Sequence, residues 1–344
     1  MTQLAQPDAV IVPSAPSAGW TRRFVRSLAA QDWLIASYFV VLLTCLVFGT
    51  GPGRARCIER VLVDIGLLVF GLALTRGEVL RRGGLASSLL YRLTIFAAVF
   101  LPYFQLREIL PAVSQRSVDL QIYAFDMSVF HVEPSLAWDR YVNPSTTEWF
   151  AFFYFSYFAL LSVHVLPFLV AVKDERLIGQ FALGIFFVFC CAHTLYMVVP
   201  GYGPYRLLAS SFKHELSGGV FWGLVREAVE AGGAQKDIFP SLHTAAPTFL
   251  AIYSFRHRAR VPFKYTWPVM ALFASQIIVA TMFLRWHYLI DIFAGLTLAV
   301  TANVVAAKVV GWETARRCRL GIAPVFTPLT LPLARPSQIR STSH

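Results

Sequence analysis

Long runs of apolar residues constrain this chain more than any other feature. Of its 344 residues, 56% are hydrophobic and only 14% are charged, whereas an average soluble protein carries about 25% charged residues. A water-soluble domain could not hide this surplus, and the same surplus excludes a lone coiled coil and a disordered chain. The sequence therefore predicts an all-α fold, a polytopic membrane helical bundle with about eight transmembrane helices.

Eight apolar runs approach the length of about 20 residues that a helix needs to cross the hydrocarbon core. Two of them are weaker: the second is short and carries Asp64, and the third contains Arg92. An amphipathic or re-entrant segment is the alternative for each of these two. The predicted spans cover residues 33–50, 61–75, 87–104, 149–172, 177–199, 241–255, 266–284 and 288–310.

The distribution of charge predicts the orientation of these spans. A net charge of +11 is typical of many nucleic-acid-binding proteins, but the 30 Lys and Arg residues cluster between the apolar runs. With eight spans, one side carries 19 basic and 6 acidic residues, and the other carries 11 basic and 13 acidic residues. By the positive-inside rule the first side, which holds both termini, is cytoplasmic. We therefore expect an integral protein of the plasma (inner) membrane with no nucleic-acid partner.

The same pattern predicts four parts of the chain. Residues 1–32 are expected to form a disordered cytoplasmic N-terminus, and residues 33–104 to form N-terminal membrane helices. Residues 105–310 are expected to form a catalytic membrane domain, and residues 311–344 a largely disordered cytoplasmic tail. The five cysteines do not indicate a disulfide framework, because three of them fall inside apolar runs.

Three ionisable residues near the starts of predicted spans are the candidates for chemistry, since such residues are costly at a membrane. His243 begins the sixth span, and His287 and Asp291 begin the eighth. The spacing of His287 and Asp291, four residues apart, predicts that the two side chains meet. An aspartate that holds one imidazole nitrogen makes the other nitrogen a better nucleophile. The sixth and eighth spans start on the same side, so His243 could act there as the general acid.

Two other readings of these histidines remain open. A lone histidine at a helix end is often a structural residue that hydrogen-bonds its neighbours. A zinc site would need three or four ligands, and the nearest further donors, His193 and His214, have no recognisable ligand spacing. We therefore predict no metal and no cofactor.

Two motifs around these residues resemble the type 2 phosphatidic acid phosphatase superfamily, and within it the inositol phosphorylceramide synthase branch. Residues 239–243 (FPSLH) are similar to the P-S-L-H motif of that branch, and residues 287–291 (HYLID) to its H-Y-x-x-D motif. Residues 200–205 are similar to its loop rich in proline and aromatic residues. The resemblance covers about residues 190–305 and implies a six-helix phosphatase-like catalytic core. It also implies that His287 is the nucleophile, Asp291 its partner, and His243 the acid and base.

The chain departs from the phosphatase pattern in its cations. The phosphatases carry a Ser-Arg pair six or seven residues before the nucleophilic histidine, where this chain has Ala280 and Thr281. Their first motif, a Lys and an Arg-Pro pair, has no clean counterpart either. Other side chains would then bind the substrate phosphate, and each of them could equally be an ordinary surface residue. The candidates are Ser241, Tyr205, Arg206, Lys213, Lys236 and Arg285.

The sequence as a whole predicts a lipid phosphotransferase. It would move a phosphoryl-linked head group, of the inositol phosphate type, from a phospholipid donor to a lipid hydroxyl through a phosphohistidine. A lipid phosphate or polyprenyl pyrophosphate phosphatase, with water as the acceptor, is the alternative within the superfamily. A membrane transporter or scramblase is the alternative of another class, although neither inverted repeats nor broken helices are visible.

Overall fold

The computed structural model describes residues 19–77, 79–81, 83–170, 174–232, 236–327 and 329. Within these ranges the chain forms α-helices and short 3-10 turns and no β-strand. The all-α class is therefore confirmed. The helices are α1 Trp20–Ser27, α2 Ala30–Phe48, α3 Arg54–Arg76, α4 Leu85–Val113, α5 Asp119–Val129, α6 Pro134–Ala137, α7 Pro144–Val170, α8 Glu175–Val198, α9 Pro204–Leu207, α10 Val220–Gly232, α11 Leu242–Arg256, α12 Phe263–Phe283 and α13 Leu289–Arg319.

Each of the eight predicted spans falls on a long helix, but only six of these helices are long and apolar enough to cross a membrane. They are α2, α4, α7, α8, α12 and α13. Helix α3 falls short because it carries Glu59, Arg60 and Asp64 among its apolar residues. Helix α11 falls short because it has only 15 residues. The structure thus supports six spans by length and composition, and the count of eight stays a prediction.

Helix α11 lies at the centre of the bundle and packs against α7, α8, α12 and α13. Helix α2 packs against α8, and α3 and α4 pack against each other and against α2. One continuous hydrophobic core runs from Ile35 of α2 to Ala302 of α13. The predicted boundary between residues 104 and 105 falls inside α4, which runs nine residues beyond the predicted end of the third span. The division into four parts stays a prediction.

Both predicted disordered ends contain ordered structure. Residues 20–27 form α1, and α13 continues to Arg319 instead of ending at residue 310. The chain then folds back onto the bundle, where the Val325 N–H donates to Glu175 at 2.9 Å and Phe326 is buried. Apolar burial of Phe326 holds the segment in place. Residues 1–18 and 330–344 lie outside the described residues.

A set of buried charged residues holds this end of the bundle together. Arg317 pairs with Glu313 at 3.0 Å and donates to the carbonyl of Ser27 at 2.8 Å. Arg76 pairs with Asp32 at 3.3 Å. These contacts join α13 to α1 and α3 to α2.

The segment between α4 and α7 and the segment between α8 and α11 contain helices that pack on the bundle. Helix α5, from the first of these segments, contacts the start of α13. Helix α10 lies where the spacing of Phe221, Trp222 and Val225 predicts a helix, and it packs against α7 with Val225 fully buried. Both helices lie near the end of the bundle where α11 and α13 begin.

Candidate active site

Capping side chains fix where the two histidine-bearing segments begin. The Ser241 hydroxyl accepts the N–H of Thr244 at 3.2 Å and starts α11. Asp291 accepts the N–H of Tyr288 at 2.8 Å, and Asp126 of α5 accepts the N–H of Leu289 at 2.7 Å, so that two carboxylates serve the first turn of α13. Unpaired N–H groups and the positive end of the helix dipole make helix starts favourable places for carboxylates.

The starts of α11 and α13 are joined directly. The Ser241 N–H donates to the Asp291 carbonyl at 3.1 Å. Gly295 permits this approach, because a Cβ at that position would lie 2.7 Å from the Ser241 carbonyl oxygen. As the sequence predicts, the two helices start at the same end of the bundle, and His243 and His287 line one cavity.

His287 is held by a backbone carbonyl as well as by the predicted aspartate. Its Nδ1 donates to the Ile238 carbonyl at 2.9 Å, and the Asp291 carboxylate lies farther away, 3.5 Å from Nδ1. His287 precedes α13, so this contact is made across a helix cap and not along a helical turn. The structure shows no hydrogen bond between the other ring nitrogen, Nε2, and a described residue, and the His287 side chain lines the cavity. Burial lowers the pKa of His287 to about 4, against the opposing effects of Asp237 and the Ile238 carbonyl. The imidazole is therefore neutral at neutral pH, as a nucleophile requires.

His243 is held by the faces of two aromatic rings of α7. Its ring centroid lies 4.2 Å from that of Tyr154, with the rings nearly parallel, and 4.2 Å from that of Tyr157. Its Nε2 is buried without a partner among the described residues, so Nδ1 is the accessible ring nitrogen. The two tyrosines thus fix the position of the predicted acid.

The cavity between the histidines has a volume of about 80 Å³. Because a water molecule in the liquid takes about 30 Å³, this is room for a group the size of a phosphoryl. The cavity is lined by six tyrosines, Trp286, Asp237 and apolar side chains. Sequence reasoning missed Asp237, which lies six residues before His243. Burial raises the pKa of Asp237 to about 7, an effect that His287 partly offsets.

None of the four predicted phosphate-binding cations is among the described residues that line this cavity. Arg285 pairs with Asp139 at 2.9 Å and stacks on Phe212, and the Lys236 ammonium donates to the carbonyls of Ser114 and Arg116. Arg206 and Lys213 are exposed, with Arg206 stacked on a tyrosine. Their role as phosphate ligands stays a prediction.

The other two candidates lie closer to the histidines. Tyr205 lines the cavity, and its N–H donates to the Arg285 carbonyl at 2.8 Å. Gly203, at φ +99°, lets the loop of residues 200–205 pass over the Trp286 carbonyl, which a Cβ would meet at 2.3 Å. Ser241 is buried beside His243 and caps α11. Asp119 secures the loop by accepting the N–H groups of Tyr202 and Gly203.

Comparison with known proteins was made against families, curated proteins and solved structures. A family model described as the PAP2 superfamily matches residues 120–305, more than half of the chain. The chain belongs to the PAP2 superfamily. No curated protein and no solved structure matches it. Within the described residues, no group of three or more His, Cys, Asp and Glu side chains is placed to hold a metal ion.

Membership of the PAP2 superfamily supports a phosphatase-type enzyme of the membrane that acts on phosphorylated lipids. The matched region contains both histidines, Asp291 and every residue that lines the cavity except Tyr103 of α4. It excludes α1 to α4, which lie before its first residue. The branch within the superfamily is not resolved by this match.

Proposed function

We propose that this PAP2 protein is a lipid phosphotransferase that works through a phosphohistidine at His287. The observation that carries the proposal is the state of the His287 ring: Nδ1 donates to a carbonyl, and Nε2 is open to the cavity that it shares with His243. This fixes the tautomer in which Nε2 has a free electron pair. The head group that the resemblance implies is of the inositol phosphate type.

In the first half-reaction, Nε2 of His287 attacks the phosphorus of a phospholipid donor. The bond between phosphorus and the diacylglycerol oxygen breaks, and protonated His243 gives its proton to that oxygen. In the second half, the hydroxyl of a lipid acceptor gives its proton to His243 and attacks phosphorus, and the bond from phosphorus to His287 breaks. Asp291 offsets the positive charge that develops on the His287 ring. One acid and base thus serves both steps.

Water in place of the lipid hydroxyl would make the same site a phosphatase. The test is to incubate purified protein with phospholipids labelled in the head group, with and without hydroxylated lipid acceptors, and to identify every product. We expect label in a new lipid that requires the acceptor. Label released only as a water-soluble phosphate would contradict the transferase and favour the phosphatase.

We further propose that the two histidines face the extracytoplasmic side and that both termini are cytoplasmic, on the strength of the charge distribution. The native Cys318 is exposed near the C-terminus. Ser145 is exposed at the start of α7. A membrane-impermeant thiol reagent on intact cells should label a Ser145→Cys variant at position 145 and spare Cys318. Labelling of Cys318 alone would reverse the orientation.

A further inference from the structure

The cavity between the histidines contains hydroxyl groups that nothing in the structure uses. Tyr103, Tyr154, Tyr157 and Tyr196 come from three different helices, α4, α7 and α8, and all line the cavity. Their hydroxyls have no hydrogen-bond partner among the described residues, and they are not among the polar atoms sealed from the cavity. Four hydroxyls that open on one cavity without a protein partner supply hydrogen-bond donors there for a polar ligand.

One acidic group, Asp237, lines the same cavity as the four tyrosines. Among the described residues that line the cavity there is no Lys or Arg. The buried cations Arg285 and Lys236 at this end of the bundle are held by Asp139 and by backbone carbonyls.

A phosphoryl group at His287 needs hydrogen-bond donors for its non-bridging oxygens, because negative charge accumulates there in the transition state. A phenolic O–H is a donor that carries no charge. Neutral donors match a phosphodiester, which carries a single negative charge. A phosphomonoester carries between one and two at neutral pH, and the second charge would be repelled by a nearby carboxylate in a site of low dielectric constant.

We propose that the hydroxyls of Tyr103, Tyr154, Tyr157 and Tyr196 bind the substrate's phosphoryl oxygens in place of cations, and that the cavity therefore takes phosphodiesters in preference to phosphomonoesters. The proposal rests on the proposed function for the position of the phosphorus. The tyrosines would thus bind the substrate phosphate, a role for which the sequence predicts four cations: Arg206, Lys213, Lys236 and Arg285. Asp237 would disfavour a second negative charge.

The test removes hydroxyls without removing rings. We would compare Tyr154→Phe, Tyr196→Phe and the double variant with the wild type in liposomes that contain phosphatidylinositol or phosphatidic acid. Removing a donor to a transition-state oxyanion costs about 10²-fold to 10³-fold in kcat, so each single variant should lose about that much on phosphatidylinositol. Tyr253→Phe is the matched control, because its hydroxyl bonds the Leu177 carbonyl at 2.9 Å and it does not line the cavity. It should keep the wild-type kcat.

The preference between substrate classes is measured in the same liposomes. We expect the wild type to have at least a tenfold higher kcat/KM on phosphatidylinositol than on phosphatidic acid, and Asp237→Asn to narrow that ratio. Wild-type rates in the double tyrosine variant would overturn the assignment of the tyrosines. A wild type that prefers phosphatidic acid would overturn the assignment of substrate class.

Binding of orthovanadate, which mimics a phosphoryl group in transfer, separates this proposal from the proposed function. Its dissociation constant, measured by calorimetry on protein of unchanged melting temperature, should rise at least tenfold in the double tyrosine variant. If the wild type turned over neither lipid, the proposed function would fail, and the calorimetry would still decide the tyrosines' role. Equal vanadate binding by the wild type and the double variant would overturn the assignment of the tyrosines as phosphoryl ligands.

Discussion

Buried ionisable residues lie at both ends of the bundle, and the two sets are arranged differently. Where the end of α13 meets α2 and α3, Arg317 pairs with Glu313 and Arg76 with Asp32. Where α11 and α13 begin, His287 lines a cavity together with His243 and Asp237.

This contrast separates the buried charges that stabilise the fold from those that can act on a substrate. An ion pair inside a protein is costly to break, because removal of one partner leaves the other buried and uncompensated. Burial alone therefore does not distinguish the two ends. What distinguishes the end where α11 and α13 begin is that two histidines and Asp237 line one cavity, as groups that act on a bound substrate must.

The largest expected effect is that of His287→Ala. The variant loses the nucleophile, so turnover of labelled phospholipid should fall by at least about 10⁴-fold, while the melting temperature of the purified protein stays close to that of the wild type. His164→Ala is the matched control, since His164 is a buried histidine of α7 whose one hydrogen bond among the described residues is to the Leu160 carbonyl of its own helix. Near wild-type turnover by folded His287→Ala protein would end the phosphohistidine mechanism.

Asp291→Asn should cost less than His287→Ala. The amide oxygen still accepts the Tyr288 N–H, and the Ile238 carbonyl still holds Nδ1 of His287 at 2.9 Å. Only the charge 3.5 Å from Nδ1 is lost. We expect kcat to fall by about 10²-fold, within the range for acid and base catalysis, and to be measurable by label transfer. A loss as complete as that of His287→Ala would mean that Asp291, and not Ile238, holds the ring.

Gly295→Ala should have a smaller effect that arises from geometry. The new methyl would lie 2.7 Å from the Ser241 carbonyl and 3.0 Å from the Thr244 side chain, so α11 and α13 must move apart. A displacement of about 1 Å between catalytic groups can cost up to about 10²-fold in rate. We expect a loss of about tenfold or more in kcat. Gly66→Ala, in α3, is the matched control, because a Cβ there meets nothing within 4 Å. Equal rates for the two variants would show that the contact between α11 and α13 does not determine the positions of the catalytic groups.

Arg317→Ala should leave turnover per folded molecule unchanged. It removes one partner of the Glu313 pair and the bond to the Ser27 carbonyl, which we expect to lower the free energy of unfolding by roughly 3–5 kcal/mol. The melting temperature should fall while kcat, normalised to folded protein, stays at the wild-type value. A large fall in kcat at unchanged stability would show that the ion pair at the end of α13 takes part in the chemistry.

Apolar runs and two short motifs predicted much of this molecule. All eight runs are helical, because runs of that length and hydropathy can bury their backbone polar groups only in a helix. The motifs located His243, His287 and Asp291 in one region, since the number of spans between them fixes their relative ends. The exact helix limits and the packed segment at residues 322–327 were not predictable, because they depend on tertiary contacts of Phe326 and Glu175.

Most of the cavity wall was also beyond the sequence. Tyr103, Tyr154 and Tyr196 lie in runs rich in aromatic residues, where nothing distinguishes a tyrosine that faces the cavity from one that packs in the core. The Ile238 carbonyl belongs to the backbone and leaves no signal in residue type. Asp237 did carry a signal, as an acid between a basic residue and the FPSLH motif, and charge at that place could have identified it.

Detection of the covalent intermediate tests the phosphohistidine mechanism at His287 most directly. Wild-type protein would be mixed with a phospholipid labelled in its head-group phosphate, quenched in alkali within one turnover, digested and analysed by mass spectrometry. We expect an acid-labile adduct of the head-group phosphate on His287, formed by the wild type and absent from His287→Ala. Rapid turnover with no adduct, or an adduct on another residue that persists in His287→Ala, would contradict it.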